Sequence, residues 1–177
     1  MNLRIYPLIF YISKDNENEE HKMNMNIRPA KETDYSAVVK IMSQVQEMHV
    51  QWRPDIYKHN DELFTEEIFA DIVKGDTFFV AEIDNMVVGV LEIMFRHIET
   101  PAHVNRDVIF IDTMAIEEKY RGQGIGHEMF EFLKAMKTEK KMDGIELQVN
   151  ARNIAAYEMY KKCGFTEKSI NMELLDL

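Results

Sequence analysis

The sequence predicts an α/β fold, with strands and helices interleaved along a single domain. Three observations carry that prediction. Two strand-like apolar runs, Thr77 to Ile83 and Met86 to Met94, are separated only by the hairpin-turn pair Asp84-Asn85. After Gly126 the apolar spacing switches from alternation to the helical period. From Val108 onwards, strand-like and helix-like segments follow one another in turn.

Residues 1–24 pair a short apolar patch, Ile5 to Ile12, with a polar run from Ser13 to Lys22. That run lacks the apolar surface to order itself, so 1–24 is expected to be a flexible extension, with the domain spanning 25–177. Asn26 to Ala30 reads as the first strand. Thr33-Asp34 supplies N-cap chemistry for a helix over Tyr35 to Val50, in which Val38, Ile41, Met42, Val45 and Met48 keep helical spacing. Trp52-Arg53-Pro54-Asp55 breaks it, and Phe64 to Lys74 forms a second helix that stops at Gly75.

The hairpin strands follow, then a polar loop over Ile98 to Arg106 and a further, strongly apolar strand, Val108 to Ile116. Ile125, Met129, Phe132, Leu133 and Met136 mark the next helix. Ile145, Leu147 and Val149 alternate as a short strand, and Asn153 to Cys163 is helical again, with Gly164 placed to end it in a left-handed conformation. Phe165 to Leu177 is expected to supply one or two final strands.

Composition narrows the function classes. The 177 residues are 46% hydrophobic and 29% charged, enough to bury a core without staples. The net charge of −10 comes with no basic stripe, which argues against nucleic acid as a partner. The charge serves solubility, and it would also draw a cationic substrate. No apolar run reaches the roughly 20 residues of a membrane span, and a secretory signal is not expected. Cys163 is the only cysteine, which excludes an internal disulfide and fits a reducing, cytoplasmic setting. His97 and His103 bracket a loop without a carboxylate at ligand spacing, so no metal is expected.

The most informative stretch is Arg121-Gly122-Gln123-Gly124-Ile125-Gly126-His127, between a strand and a helix. Glycines let backbone N–H groups close around an anion, and a helix start adds unpaired N–H groups and the positive end of its dipole. The dinucleotide fingerprint fails, because His127 stands where its third glycine belongs. The nucleoside triphosphate loop fails as well, because Gly126-His127-Glu128 is not Gly-Lys-Ser/Thr. A second constellation follows the next strand: Asn153, Ala156 and Tyr160 share one helical face ahead of Gly164-Phe165. Taken alone, that segment is an Asn cap, a packed Tyr and a Gly stop.

Together, in this order, the two segments resemble the GNAT N-acetyltransferase family over about residues 25–177. The resemblance implies a mixed, mostly antiparallel central sheet flanked by helices, in the order β-α-α-β-β-β-α-β-α-β(-β). It implies acetyl-CoA as co-substrate, its pyrophosphate on the loop from Arg121 to His127. Family position also implicates Met114, Ala115 and Ile116 in a bulged strand that pairs with the pantetheine arm. It implies that Asn153 touches the cofactor and that Tyr160, with Ala156 one turn earlier, sits near its sulfur. Dimers are common among such enzymes, and Met and aromatic residues near the C-terminus supply apolar surface for a homodimer contact.

Acetyl transfer to an amine requires a base, a donor to the oxyanion and a path for the leaving thiolate. In the resembling family this occurs by direct attack in a ternary complex, which leaves Cys163 as a structural thiol. Backbone N–H groups at the bulge, near Met114, are the expected oxyanion donors, and Tyr160 is the expected thiolate acid. Asp112 leads for the base because it interrupts an apolar strand just before the expected bulge; a structural carboxylate that satisfies backbone groups there is the other reading. Glu82 and Glu92 are reserves. His49, Trp52, Arg53, Asp55, Tyr57 and His59 either line the acceptor site or form a packed helix connector. The expected activity is acetylation of a primary amine on a small molecule or peptide. A non-catalytic acetyl-CoA sensor is the alternative, and the sequence is silent on the acceptor.

Overall fold

The computed structural model describes residues 25–175; the extension expected over 1–24 lies outside the described residues. The chain divides into two units, one up to Leu147 and one from Gln148.

The first unit is built on a five-stranded sheet in the order β1-β2-β3-β4-β5. The strands are β1 (Met25–Pro29), β2 (Phe78–Ile83), β3 (Met86–Ile98), β4 (Arg106–Ile116) and β5 (Gly144–Leu147). The first four pair antiparallel, and β5 joins β4 in parallel. The Asp84-Asn85 turn forms as expected, with φ of 49° and 63°, the left-handed pair that a two-residue hairpin demands. β3 is longer than its apolar pattern suggests, because Arg96 and His97 continue the ladder against Val108 and Asp107. An exposed strand end needs backbone pairing, not apolar side chains.

Among the described residues, three α-helices accompany the sheet: α1 (Tyr35–Trp52), α2 (Glu66–Ile72) and α3 (Ile125–Glu139). Val38 and Ile41 of α1 and Phe69 of α2 bury against Phe78, Val80, Val90 and Ala115. Burial on this scale stabilises by about 1.5–3 kcal/mol per large side chain. α3 packs on the other sheet face, where the Phe79 and Phe132 rings meet edge-on at 5.1 Å. Gly89 allows that approach: a Cβ there would lie 3.2 Å from the Ala115 carbonyl and 3.4 Å from Met129 Sδ.

The expected N-cap at Thr33-Asp34 takes another form. Asp34 makes no side-chain cap to α1. Its carboxylate instead accepts hydrogen bonds from Arg28 Nη1 and Nη2, at 2.7 and 2.9 Å, and from the Lys31 N–H at 2.8 Å. Asp34 ends a 3-10 turn, Glu32–Asp34, in the αR conformation, so it lacks the extended backbone from which a cap residue reaches forward into its helix.

The second unit holds α4 (Ile154–Lys162), closed by Gly164 at φ 93°, the left-handed stop read from the sequence. The final strand expected after Phe165 is absent among the described residues. Glu167 is tied back to Tyr157 and Lys161 of α4, and Ile170, Met172 and Leu174 beyond it stay exposed. Alternating apolar residues become a strand only where a neighbouring strand offers a ladder. Among the described residues, no helix is long and apolar enough to cross a membrane.

Candidate active site

Three ladder features coincide at one level of the sheet. The β4–β5 pairing ends at Ile111↔Leu147, so the Asp112–Ile116 half of β4 runs on without its parallel partner. Glu92 pairs with Thr113 and Ile93 with Ile111, which leaves Asp112 as the extra, bulged residue. The β2–β3 ladder ends at Phe78↔Glu92. The bulge therefore lies two residues before the expected position: Met114, Ala115 and Ile116 pair regularly with Leu91, Val90 and Gly89. Ala115 must reach the core beside Val90, and a kink at Met114 would spoil that packing, whereas exposed Asp112 absorbs it.

Glu92 is half-buried, and burial pushes its carboxyl above the ordinary range, with the Asp112 charge adding to the shift. Glu82, the other reserve, is committed elsewhere: it pairs with Arg28 at 2.6 Å.

Beyond β4 a short 3-10 turn, Glu118–Tyr120, leads into the glycine loop. Gly122 and Gly124 have φ of 77° and 87°, and a Cβ on either would meet nothing within 4 Å. Gly124 is the N-cap of α3, and its carbonyl accepts the N–H groups of His127 and Glu128. Among the described residues, the N–H groups from Gly122 to Gly126 donate to no backbone or side-chain acceptor. An arc of free amides at a helix N-terminus is an anion cradle. Arg121 opens it and His127 stands exposed on the first turn of α3, while Ile125 and Gly126 are buried. The Gln123 side chain donates to the Lys119 carbonyl at 3.0 Å and so braces the loop from within.

One face of α1 buttresses this loop, which the sequence reading did not foresee. Lys40 pairs with buried Glu117 at 2.6 Å, Gln44 accepts the Glu118 N–H at 2.9 Å, and Arg121 Nη1 reaches Met48 Sδ at 3.6 Å. The signal was present as a four-residue spacing of long side chains on one helix face. Farther along, His49 stacks on Tyr57 at 4.8 Å and lies 5.8 Å from Trp52, and burial lowers the pKa of His49. Arg53 pairs with Asp55 at 2.6 Å, and His59 pairs with Asp61 and Glu47. These contacts link the end of α1 to the segment that follows it.

The other sequence-predicted residues lie in the second unit. Asn153 caps α4, its Oδ1 accepting the Ala156 N–H at 3.2 Å. Tyr160 is partly buried, its ring centroid 5.9 Å from that of Phe165. Burial raises the Tyr160 hydroxyl pKa, with Cys163 adding to the effect. His97 does have carboxylate neighbours, Asp107 at 2.7 Å and Glu99 at 3.2 Å, brought to it by the β3–β4 register and the following turn. Among the described residues, no group of three or more His, Cys, Asp or Glu is placed so that it could hold a metal ion.

The family model of the GNAT acetyltransferases matches residues 44–165, from the middle of α1 through α4. The chain belongs to the GNAT acetyltransferase family. It is 32% identical over 66 residues to a streptothricin acetyltransferase of Escherichia coli, covering 37% of this chain and 38% of that one. To an N-alpha-acetyltransferase of Sulfolobus acidocaldarius it is 27% identical over 159 residues, 85% of each chain. A crystal structure of a mutant BH1408 protein from Bacillus halodurans superposes with a TM-score of 0.77 at 28% identity, covering 86% of this chain and 99% of that chain. As a GNAT protein, the chain carries its glycine loop, its kinked β4 and the opening beside β5 inside the matched region.

Proposed function

We propose that this GNAT protein is an acetyl-CoA-dependent N-acetyltransferase that acetylates a primary amine of a small molecule or peptide by direct attack. The observation that carries the reading is the arc of free amides from Gly122 to Gly126, at the start of α3 and just beyond the opened half of β4. It suits a pyrophosphate, and Arg121 adds a cation at its edge. The unpaired edge of Met114, Ala115 and Ile116 suits the amide groups of a pantetheine arm, which pairs as an added strand does. Acetyl-CoA supplies an activated acyl carbon, and this chain's residues orient it and manage protons. A carboxylate at the β3–β4 bulge takes the proton of the amine, and backbone N–H groups beside the bulge hold the oxyanion. Tyr160, a phenol that is protonated at neutral pH and whose pKa burial raises further, returns a proton to the leaving thiolate. Cys163 remains a spectator thiol, in keeping with a cytoplasmic setting.

Two relatives, named a streptothricin acetyltransferase and an N-alpha-acetyltransferase, support an amine acceptor. The test has two stages. Acetyl-CoA is expected to raise the melting temperature, with no comparable effect from ATP or NAD. Free-thiol release is then measured with streptothricin, spermidine and a peptide with a free N-terminus. Stabilisation without thiol release would favour a non-catalytic acetyl-CoA sensor, and no stabilisation would remove the cofactor assignment.

A further inference from the structure

Among the described residues, the half-buried and buried carboxylates are, with one exception, held by a cation. Asp34 and Glu82 share Arg28, Glu117 has Lys40, Glu131 has Lys134, and Glu146 has Arg106. Glu92 is the exception: among the described residues it has no hydrogen-bond donor and no counter-ion. Across the sheet it is flanked by Phe78 of β2 and Thr113 of β4, neither of which titrates. Among the described residues, Asp112 is the one charged group acting on it, and it carries the same sign. A carboxylate withdrawn from water and given a like charge for a neighbour is unfavourable unless a cation arrives.

The location is equally specific. Glu92 stands at the level where both flanking ladders stop and where β4 kinks away from β5. It also lies in register with Val80, Val90 and Ala115 on the face shared with α1 and α2. Asp112, by contrast, is exposed on the bulge itself.

We propose, building on the acetyltransferase reading, that Glu92 is the group that takes the proton from the acceptor's ammonium, with Asp112 as a positioning residue acting through it. The ammonium supplies the cation that Glu92 lacks, and one of its protons moves to the Glu92 carboxylate. The freed amine lone pair forms the C–N bond at the acyl carbon, and the C–S bond breaks with its electron pair on sulfur. The thiolate gains a proton from Tyr160 or water, and the nitrogen's second proton passes to that donor and restores it. Glu92 then returns its proton to solvent, so that amide, thiol and one proton leave. Asp112 strengthens the base, because its charge disfavours the ionised form of Glu92 and raises its affinity for a proton.

The test combines kinetics with a titration of the free protein. Glu92→Gln is expected to lower kcat about 100-fold, at the low end of the roughly 10²–10⁴ typical of general acid–base groups. It should also abolish the acidic limb of the kcat/KM profile while leaving the melting shift with acetyl-CoA intact. Glu92→Asp should keep the limb with reduced turnover, which decides the matter if the glutamine variant does not fold. Asp112→Asn should keep the limb but move it to lower pH. Carboxyl-detected NMR of the ligand-free protein should show Glu92 titrating above the ordinary glutamate range, and lower in Asp112→Asn. Rates are taken with whichever of streptothricin, spermidine and the free peptide releases most thiol. Loss of the limb in Asp112→Asn with its retention in Glu92→Gln would overturn the proposal in favour of Asp112. An unshifted Glu92 titration, or loss of the acetyl-CoA melting shift in Glu92→Gln, would overturn it as well. A wild-type protein that binds acetyl-CoA but acetylates none of the three would overturn the catalytic reading, and this assignment with it.

Discussion

Arg121 Nε donates a 3.0 Å hydrogen bond to the carbonyl of Ile116, which ties the first residue of the glycine loop to the last residue of β4. The bond couples the anion cradle to the strand that opens beside β5. A hydrogen bond from a charged donor is worth roughly 1.5–3 kcal/mol. Arg121→Met removes both this bond and the cation at the edge of the loop, and is expected to weaken acetyl-CoA binding at least about tenfold and to lower the melting temperature of the free protein by a few degrees. Isothermal titration calorimetry checks this, and unaltered affinity would show that the bond positions nothing.

Gly124→Val should abolish acetyl-CoA stabilisation. The open space over Gly124 is where the pyrophosphate is proposed to lie, so a branched side chain competes for it directly. The φ of 87° also strains any residue with a Cβ, by roughly 1–3 kcal/mol, so the free protein should melt somewhat earlier. Gly124→Ala separates the two effects: similar strain, with less obstruction. Equal melting shifts in wild type and both variants would argue against phosphate binding at this loop.

Tyr160→Phe preserves the ring against Phe165 and removes only the hydroxyl. Turnover should fall by about 10- to 100-fold, since a coenzyme A thiolate leaves moderately well without help. The fall should be smaller with an acyl donor whose thiol is more acidic. Stopped-flow rates with both donors test this, and full activity would return the acid role to water.

Arg28→Met leaves Asp34 and Glu82 without their shared cation and should destabilise the first unit by about 2 kcal/mol, below the 3–5 typical of fully buried pairs. Burial pushes the Asp34 carboxyl up, but the Arg28 guanidinium and the Lys31 N–H more than offset it, so its pKa lies below the ordinary value. Stability from a depressed carboxyl is complete above its unfolded pKa, about 3.9, and is lost as pH falls through the folded value. The difference between wild type and variant should thus be full at pH 6 and shrink below about pH 4. Urea titrations at both pH values measure it.

The sequence by itself determined whatever depends on local chemistry. Asp84-Asn85 specifies its hairpin because few residue pairs tolerate two left-handed conformations, and Gly164 stops α4 for the same reason. The glycine loop was legible because its backbone needs φ values that other residues resist. Tertiary structure decided what depends on partners distant in the chain. Asp34 reads as a cap until Arg28, six residues earlier and on another element, claims it. The bulge falls at Asp112 rather than Met114 because the register is set by β3 and by core packing at Ala115, neither visible in the strand's own residues. Glu92 looks like any polar position on an alternating strand. Only the assembled sheet removes it from water, withholds a cation and sets Asp112 beside it, because burial and electrostatics are sums over neighbours that sequence order does not list.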